Sequence, residues 1–185
     1  MVTVFLADGF EETEAILPVD ILRRGGVEVQ TCSIVPGKRT VTGSHGIPVT
    51  ADLTLAELPA FEDAIVLPGG MPGTLNLKAC QPLRDRIRRQ ASRGGILAAI
   101  CAAPTVLGDC GVLAEAAATC YPGMEGELRC KTVLSDPVVI SGSIVTSRGA
   151  GTAAEFGFAL LAILKDRATS DRIRAGMCFE KAANP

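Results

Sequence analysis

Ile96-Leu97-Ala98-Ala99-Ile100-Cys101-Ala102-Ala103-Pro104 is the stretch that decides how this chain folds. Five unbroken apolar residues read as a strand covered on both faces. Cys101 stands where that strand ends, and the small residues after it open a helix. Pro104 suits a first helical turn, where its missing N–H has no partner to lose. A sharp strand-to-helix turn that presents a reactive side chain needs small neighbours. Ala99 and Ala103 flank Cys101 two places to either side. The helix N-terminus would set partial positive charge near the sulfur, so the spacing predicts a thiol below its free pKa of ~8.5. The same residues also read as a core strand ending in a plain buried cysteine, and spacing alone leaves both readings open.

Outward from this stretch, short apolar runs alternate with longer amphipathic ones. Strands are expected at 2–7, 27–33, 64–67, 96–100 and 144–147. Helices are expected at 12–24, 83–92, 102–107, 153–165 and 170–177. This β-then-α rhythm predicts a mostly parallel sheet with helices on both sides, in one domain spanning 1–185. Two segments break it. Residues 35–52 suggest a small hairpin appended to the sheet. Residues 138–140 and 144–146, joined by Ser141-Gly142-Ser143, suggest a second.

Bulk properties narrow the function. The 185 residues are 48% apolar, enough for one sizeable core, and the net charge is -2. That charge, with one Tyr and no Trp, argues against nucleic acid or an anionic membrane as partner. The acidic start and the lack of any apolar run near ~20 residues predict a soluble chain with neither signal peptide nor membrane span. Seven cysteines without a CxxC pair, beside a single His, predict no structural metal site and a reducing, cytoplasmic setting.

Ligands of an open parallel sheet bind beyond the carboxyl ends of its strands. Three further turns should share that rim with Cys101. Asp8-Gly9-Phe10-Glu11-Glu12-Thr13-Glu14 brings three glutamates. Pro68-Gly69-Gly70-Met71-Pro72-Gly73 brings adjacent glycines, whose N–H groups can come close to an anion. With the Ala102 N–H they would make an oxyanion hole. Ser147-Arg148-Gly149-Ala150-Gly151-Thr152 brings an arginine, suited to a carboxylate or to a surface ion pair. Glu14 is in phase with Pro18, Ile21 and Leu22 and should face the apolar side. Glu11 shares much of that face, so periodicity does not choose between them. No phosphate-loop or dinucleotide spacing occurs.

Gly9-Phe10-Glu11-Glu12-Thr13-Glu14-Ala15, Val66-Leu67-Pro68-Gly69-Gly70, Ala98 to Pro104 and Thr146 to Thr152 together resemble the ThiJ/PfpI superfamily. The likeness is to the branch of the Parkinsonism-associated deglycase and its bacterial relatives, and it runs over nearly the whole chain. It implies a three-layer flavodoxin-like sandwich and a homodimer. It also implies a Cys101 nucleophile, a protonated Glu14 partner, and oxyanion contacts from Gly69, Gly70 and Ala102. The activities implied are a cofactor-independent conversion of glyoxals to hydroxy acids, with deglycation of glyoxal-modified proteins, or instead an oxidative-stress sensor or chaperone-like role through cysteine sulfinate. Peptidase-like hydrolysis is a third reading. Two positions depart from the family. Tyr121 stands where many relatives have a His near the cysteine, as pocket wall or hydrogen-bond donor. The sole imidazole, His45, lies near the implied dimer contact, where it is a loop residue or a base reaching across the dimer. Cys120 is a possible resolving thiol for an oxidised Cys101.

Overall fold

In the computed structural model, which describes residues 1–179, chain order is β1 (Val2–Leu6), α1 (Glu12–Arg24), β2 (Val29–Ser33), β3 (Thr40–Thr42), β4 (Pro48–Thr50) and β5 (Leu53–Thr54). There follow β6 (Ala64–Leu67), α2 (Gly73–Ala79), α3 (Gln81–Ser92), β7 (Ile96–Ile100), α4 (Pro104–Asp109), β8 (Ala117–Ala118) and β9 (Thr132–Val133). The last elements are β10 (Val138–Ser141), β11 (Ile144–Ser147), α5 (Ala153–Leu164) and α6 (Arg167–Gly176). Residues 180–185, part of the expected single domain, lie outside the described residues.

Seven strands form one sheet in the order β10-β11-β7-β6-β1-β2-β5. Every neighbouring pair is parallel except β10 with β11. Apolar side chains leave both faces because a strand sends alternate residues to opposite sides. Val2, Val4 and Leu6 pack with Ile21 and Leu22 of α1 and with Phe156 and Leu161 of α5. Phe5, Ile65 and Leu67 pack instead with Leu77, Leu83, Ile87 and Val106, from α2, α3 and α4. Two clusters on one sheet make the expected three-layer α/β sandwich. Each fully buried Leu, Ile or Phe contributes roughly 1.5–3 kcal/mol of hydrophobic stabilisation.

The expectations fail where tertiary contacts override local pattern. The hairpin of β3 and β4 forms its own two-stranded sheet and is not appended to the large one. The two-residue β5 extends that edge instead. Helix α2, which no apolar period announced, is started by tertiary bonds: Gly73 N–H donates to Gly9 O, and Thr74 N–H to Gly70 O. Helix α6 begins three residues before the expected 170, because the Asp166 side chain caps it by accepting from Thr169 N–H at 2.6 Å. The second strand begins at Val29 rather than at 27. The second hairpin is present with strands longer than read, because Ser141 pairs with Ile144 and leaves only Gly142-Ser143 as the turn.

Candidate functional site

The four turns at the carboxyl ends of β1, β6, β7 and β11 are tied together by backbone hydrogen bonds. Glu11 N–H donates to Gly69 O, and Cys101 N–H donates to Ser147 O at 3.0 Å. Tyr121 N–H donates to Cys101 O at 2.8 Å. Cys101 is therefore held from both sides at φ 64°, in the left-handed region that disfavours a residue with a Cβ. A strained, cross-braced residue at a strand end is the nucleophile-elbow geometry expected from the sequence. Ala99 and Ala103 on either side of it are fully buried.

The glutamates of the first turn take three separate tasks. Glu11 caps α1, accepting from Glu14 N–H at 2.6 Å. Glu12 accepts from the N–H groups of His45 and Ile47 and pairs with His45 Nδ1 at 2.8 Å. Those bonds, and the charge they stabilise, outweigh its burial and hold its pKa at about 2. Glu14 is 1% exposed, and its Oε2 accepts from Gly69 N–H at 2.9 Å. Burial is the largest influence on Glu14 and raises its pKa to about 7, against the lowering effect of hydrogen bonds from Cys101, Gly69 N–H and Ala150 N–H.

Gly69 marks the centre of the cluster. A Cβ there would lie 2.7 Å from Cys101 Cβ, 2.8 Å from Glu14 Oε2 and 3.1 Å from Ala102 N. Only a residue without a side chain lets carboxyl, thiol and elbow backbone meet. Of the three N–H groups expected to hold an oxyanion, those of Gly70 and Ala102 face the Cys101 sulfur. The Gly69 N–H is committed to Glu14.

The expectation of an acidic thiol needs correction. Burial, then the charge and hydrogen bond of ionised Glu14, push the Cys101 thiol up to about 12, while the Ala102 and Gly70 N–H groups pull the other way. The six-residue α4 does not offset the desolvation of a half-buried sulfur beside a carboxylate. With Glu14 protonated, its charge disappears and its carboxyl becomes a donor to sulfur. Each group holds its own proton in the neutral pair, and once Glu14 ionises its charge opposes loss of the thiol proton.

The other candidates separate. Tyr121 borders the thiol pocket. A point one Cβ bond from Gly149 lies 3.6 Å from Tyr121 Cδ2 and 3.9 Å from Glu14 Oε1, so ring and carboxyl flank the same small space. Cys120 is buried, its thiol donates to Tyr121 O, and burial raises its pKa to about 11. Arg148 donates to Ser135 O at 2.8 Å and does not line the pocket. His45 bonds to Glu12 and Ser44, not to the thiol, so a Cys-His hydrolase pair within this chain is not formed. Among the described residues, Glu11, Glu12 and His45 bring possible metal-ligand atoms within 4.8 Å of one another, but those of Glu12 already serve the hairpin loop. Sequence reasoning missed Met71 and Met124, which also line the pocket, and the Ala150 N–H on Glu14. Nothing in a Met or Ala codes for such a position; only the turn around Gly149 hinted at the last.

The DJ-1/PfpI family profile matches residues 1–163. The chain belongs to the DJ-1/PfpI family. It is 42% identical over 163 residues to Protein DJ-1 homolog B of Arabidopsis thaliana, a match covering 86% of this chain and 37% of that protein. The chain spans less than half the length of the two Arabidopsis DJ-1 relatives it matches. It is 33% identical over 176 residues to the glutathione-independent glyoxalase DJR-1.2 of Caenorhabditis elegans, covering 92% of this chain and 91% of that one. The solved structure of oxidized Toxoplasma gondii DJ-1 superposes with a TM-score of 0.93 at 32% identity, covering 97% of this chain and 98% of that one. Its DJ-1 membership agrees with the family resemblance carried by the four turns.

Proposed function

We propose that this chain is a cysteine-dependent, cofactor-independent enzyme that converts glyoxals to hydroxy acids. The observation that carries this is a buried Glu14, with a pKa of about 7, hydrogen-bonded to Cys101 beneath the N–H groups of Gly70 and Ala102. A carboxyl balanced near neutral pH serves as both acid and base. Cys101 adds to the aldehyde carbon as its S–H proton passes through Glu14 to the new oxygen, which the two N–H groups stabilise as charge builds on it. Glu14 then carries the hydrogen of that carbon to the neighbouring carbon, while the hemithioacetal hydroxyl gives its proton to the neighbouring carbonyl oxygen, which becomes the new hydroxyl. The product is a hydroxyacyl thioester. Water cleaves its C–S bond, releasing the hydroxy acid and restoring the thiol. The relative named as a glyoxalase supports this chemistry. Lactate formed from methylglyoxal by purified protein measures it. Turnover no greater than in Cys101→Ala would refute it.

A second reading is an oxidant sensor, favoured by the solved relative described as oxidized and by N–H groups able to hold sulfinate oxygens. Two equivalents of peroxide would take the Cys101 thiol to sulfinic acid and release two waters. Mass spectrometry after mild peroxide treatment checks it, and oxidation spread evenly over all seven cysteines would count against it. The proposal includes a cytoplasmic setting, supported by free thiols, and a homodimer. Exposed Ile16 and Ile47 line one groove beside α1, and burying them in a second copy would remove an apolar face from water. Sedimentation of Ile16→Glu as a monomer is the expected outcome. No helix among the described residues is long and apolar enough to cross a membrane.

A further inference from the structure

The space above Cys101 is larger and more apolar than a two-carbon dicarbonyl requires. A cavity of about 380 Å³ opens over the thiol, bordered by Met71, Cys101, Ala102, Tyr121, Pro122 and Met124, with no charged side chain on its walls. Pockets of this size generally take ligands well beyond two carbons. Met71 is 48% exposed and Tyr121 is 51% exposed. Large apolar side chains left in water around one opening mark a binding surface. Methionine adds an adaptable, polarizable wall, and a tyrosine ring offers a flat face to another ring. Tyr121 is fixed to the reacting centre by its N–H bond to Cys101 O.

Resting on the glyoxal-converting function proposed above, we infer that Met71, Tyr121 and Met124 form a subsite for an uncharged apolar substituent. The favoured substrates are α-oxoaldehydes carrying an aryl or branched alkyl group. Tyr121 sets this specificity through its ring and not its hydroxyl. Anionic α-oxo acids are disfavoured because no wall residue offers a cation.

The test compares kcat/KM for phenylglyoxal and glyoxal in the unaltered protein, Met71→Ala, Tyr121→Ala and Tyr121→Phe. Unaltered protein should favour phenylglyoxal, and each alanine variant should lower the ratio by about tenfold. Tyr121→Phe should keep it. A preference for glyoxal, or a ratio unmoved by both alanine changes, overturns the subsite. Absence of turnover with either substrate, relative to Cys101→Ala, would defeat the proposed function instead. Acetophenone, which has the ring but no aldehyde, then decides the subsite separately. Methyl NMR shifts at Met71 and Met124 that Tyr121→Ala abolishes support it; no shifts overturn it.

Discussion

Replacing Glu14 by Gln should change how stability depends on pH, by an amount the structure sets. The native carboxyl has its pKa raised from an ordinary 4.5 to about 7, chiefly by burial. Between those values the native chain keeps a proton that the unfolded chain has released. Stability from this residue is therefore complete below pH 4.5 and is lost as pH rises through 7. Roughly two and a half decades of acidity, at about 1.4 kcal/mol per decade, give a loss of about 3 kcal/mol. Glutamine does not titrate, yet its amide oxygen can still accept from Gly69 N–H. Other shifted carboxylates are common to both proteins and cancel in the comparison. Urea unfolding followed by far-UV circular dichroism, the practical probe for a chain without Trp, should show the stability of Glu14→Gln relative to the parent rising by about 3 kcal/mol from pH 4.5 to 8. In Cys101→Ala, loss of the thiol hydrogen bond that holds Glu14 down should move the upper end of this window to higher pH. A difference that stays flat across the range, or falls, would refute the assignment of Glu14 as the buried proton holder.

Gly69→Ala should lower stability by about 1–3 kcal/mol in urea unfolding, because its Cβ meets Cys101 Cβ and Ala102 N. Gly126→Ala, where a Cβ meets nothing within 4 Å, should stay within about 0.5 kcal/mol; equal effects would contradict the close approach. By proton NMR His45 should titrate above its ordinary 6.5, since the Glu12 hydrogen bond and charge raise it. Glu12→Gln should return it toward 6.5, and an unmoved titration would break the Glu12–His45 pair.

The sheet was readable because Ala64-Ile65-Val66-Leu67 and Ile96 to Ile100 are apolar without a break, as strands between two helical layers must be. Helix α2 was not. It opens on Gly73 and Thr74, poor helix formers, and depends on bonds from Gly9 and Gly70 that a local pattern does not display. The place of α6 was written in Asp166, an N-cap residue ahead of the apolar period. Periodicity left Glu11 and Glu14 unresolved on one face; burial and the Gly69 N–H separate them. The thiol was misread for a simpler reason. Helix charge is visible in a sequence, whereas the desolvation that exceeds it depends on how the folded chain buries the sulfur beside Glu14.

Glu11 caps α1 from just outside it, while Glu12 and Glu14 leave its first turn in different directions. Each step in a helix rotates direction by about 100°. Deleting Thr13 would therefore turn Glu14 about 100° relative to Glu12, and the two could no longer meet Gly69 N–H and His45 at once. A change of chain length at the start of α1 thus disturbs both the His45 loop and the thiol pair, whereas a substitution at one acid touches one partner set.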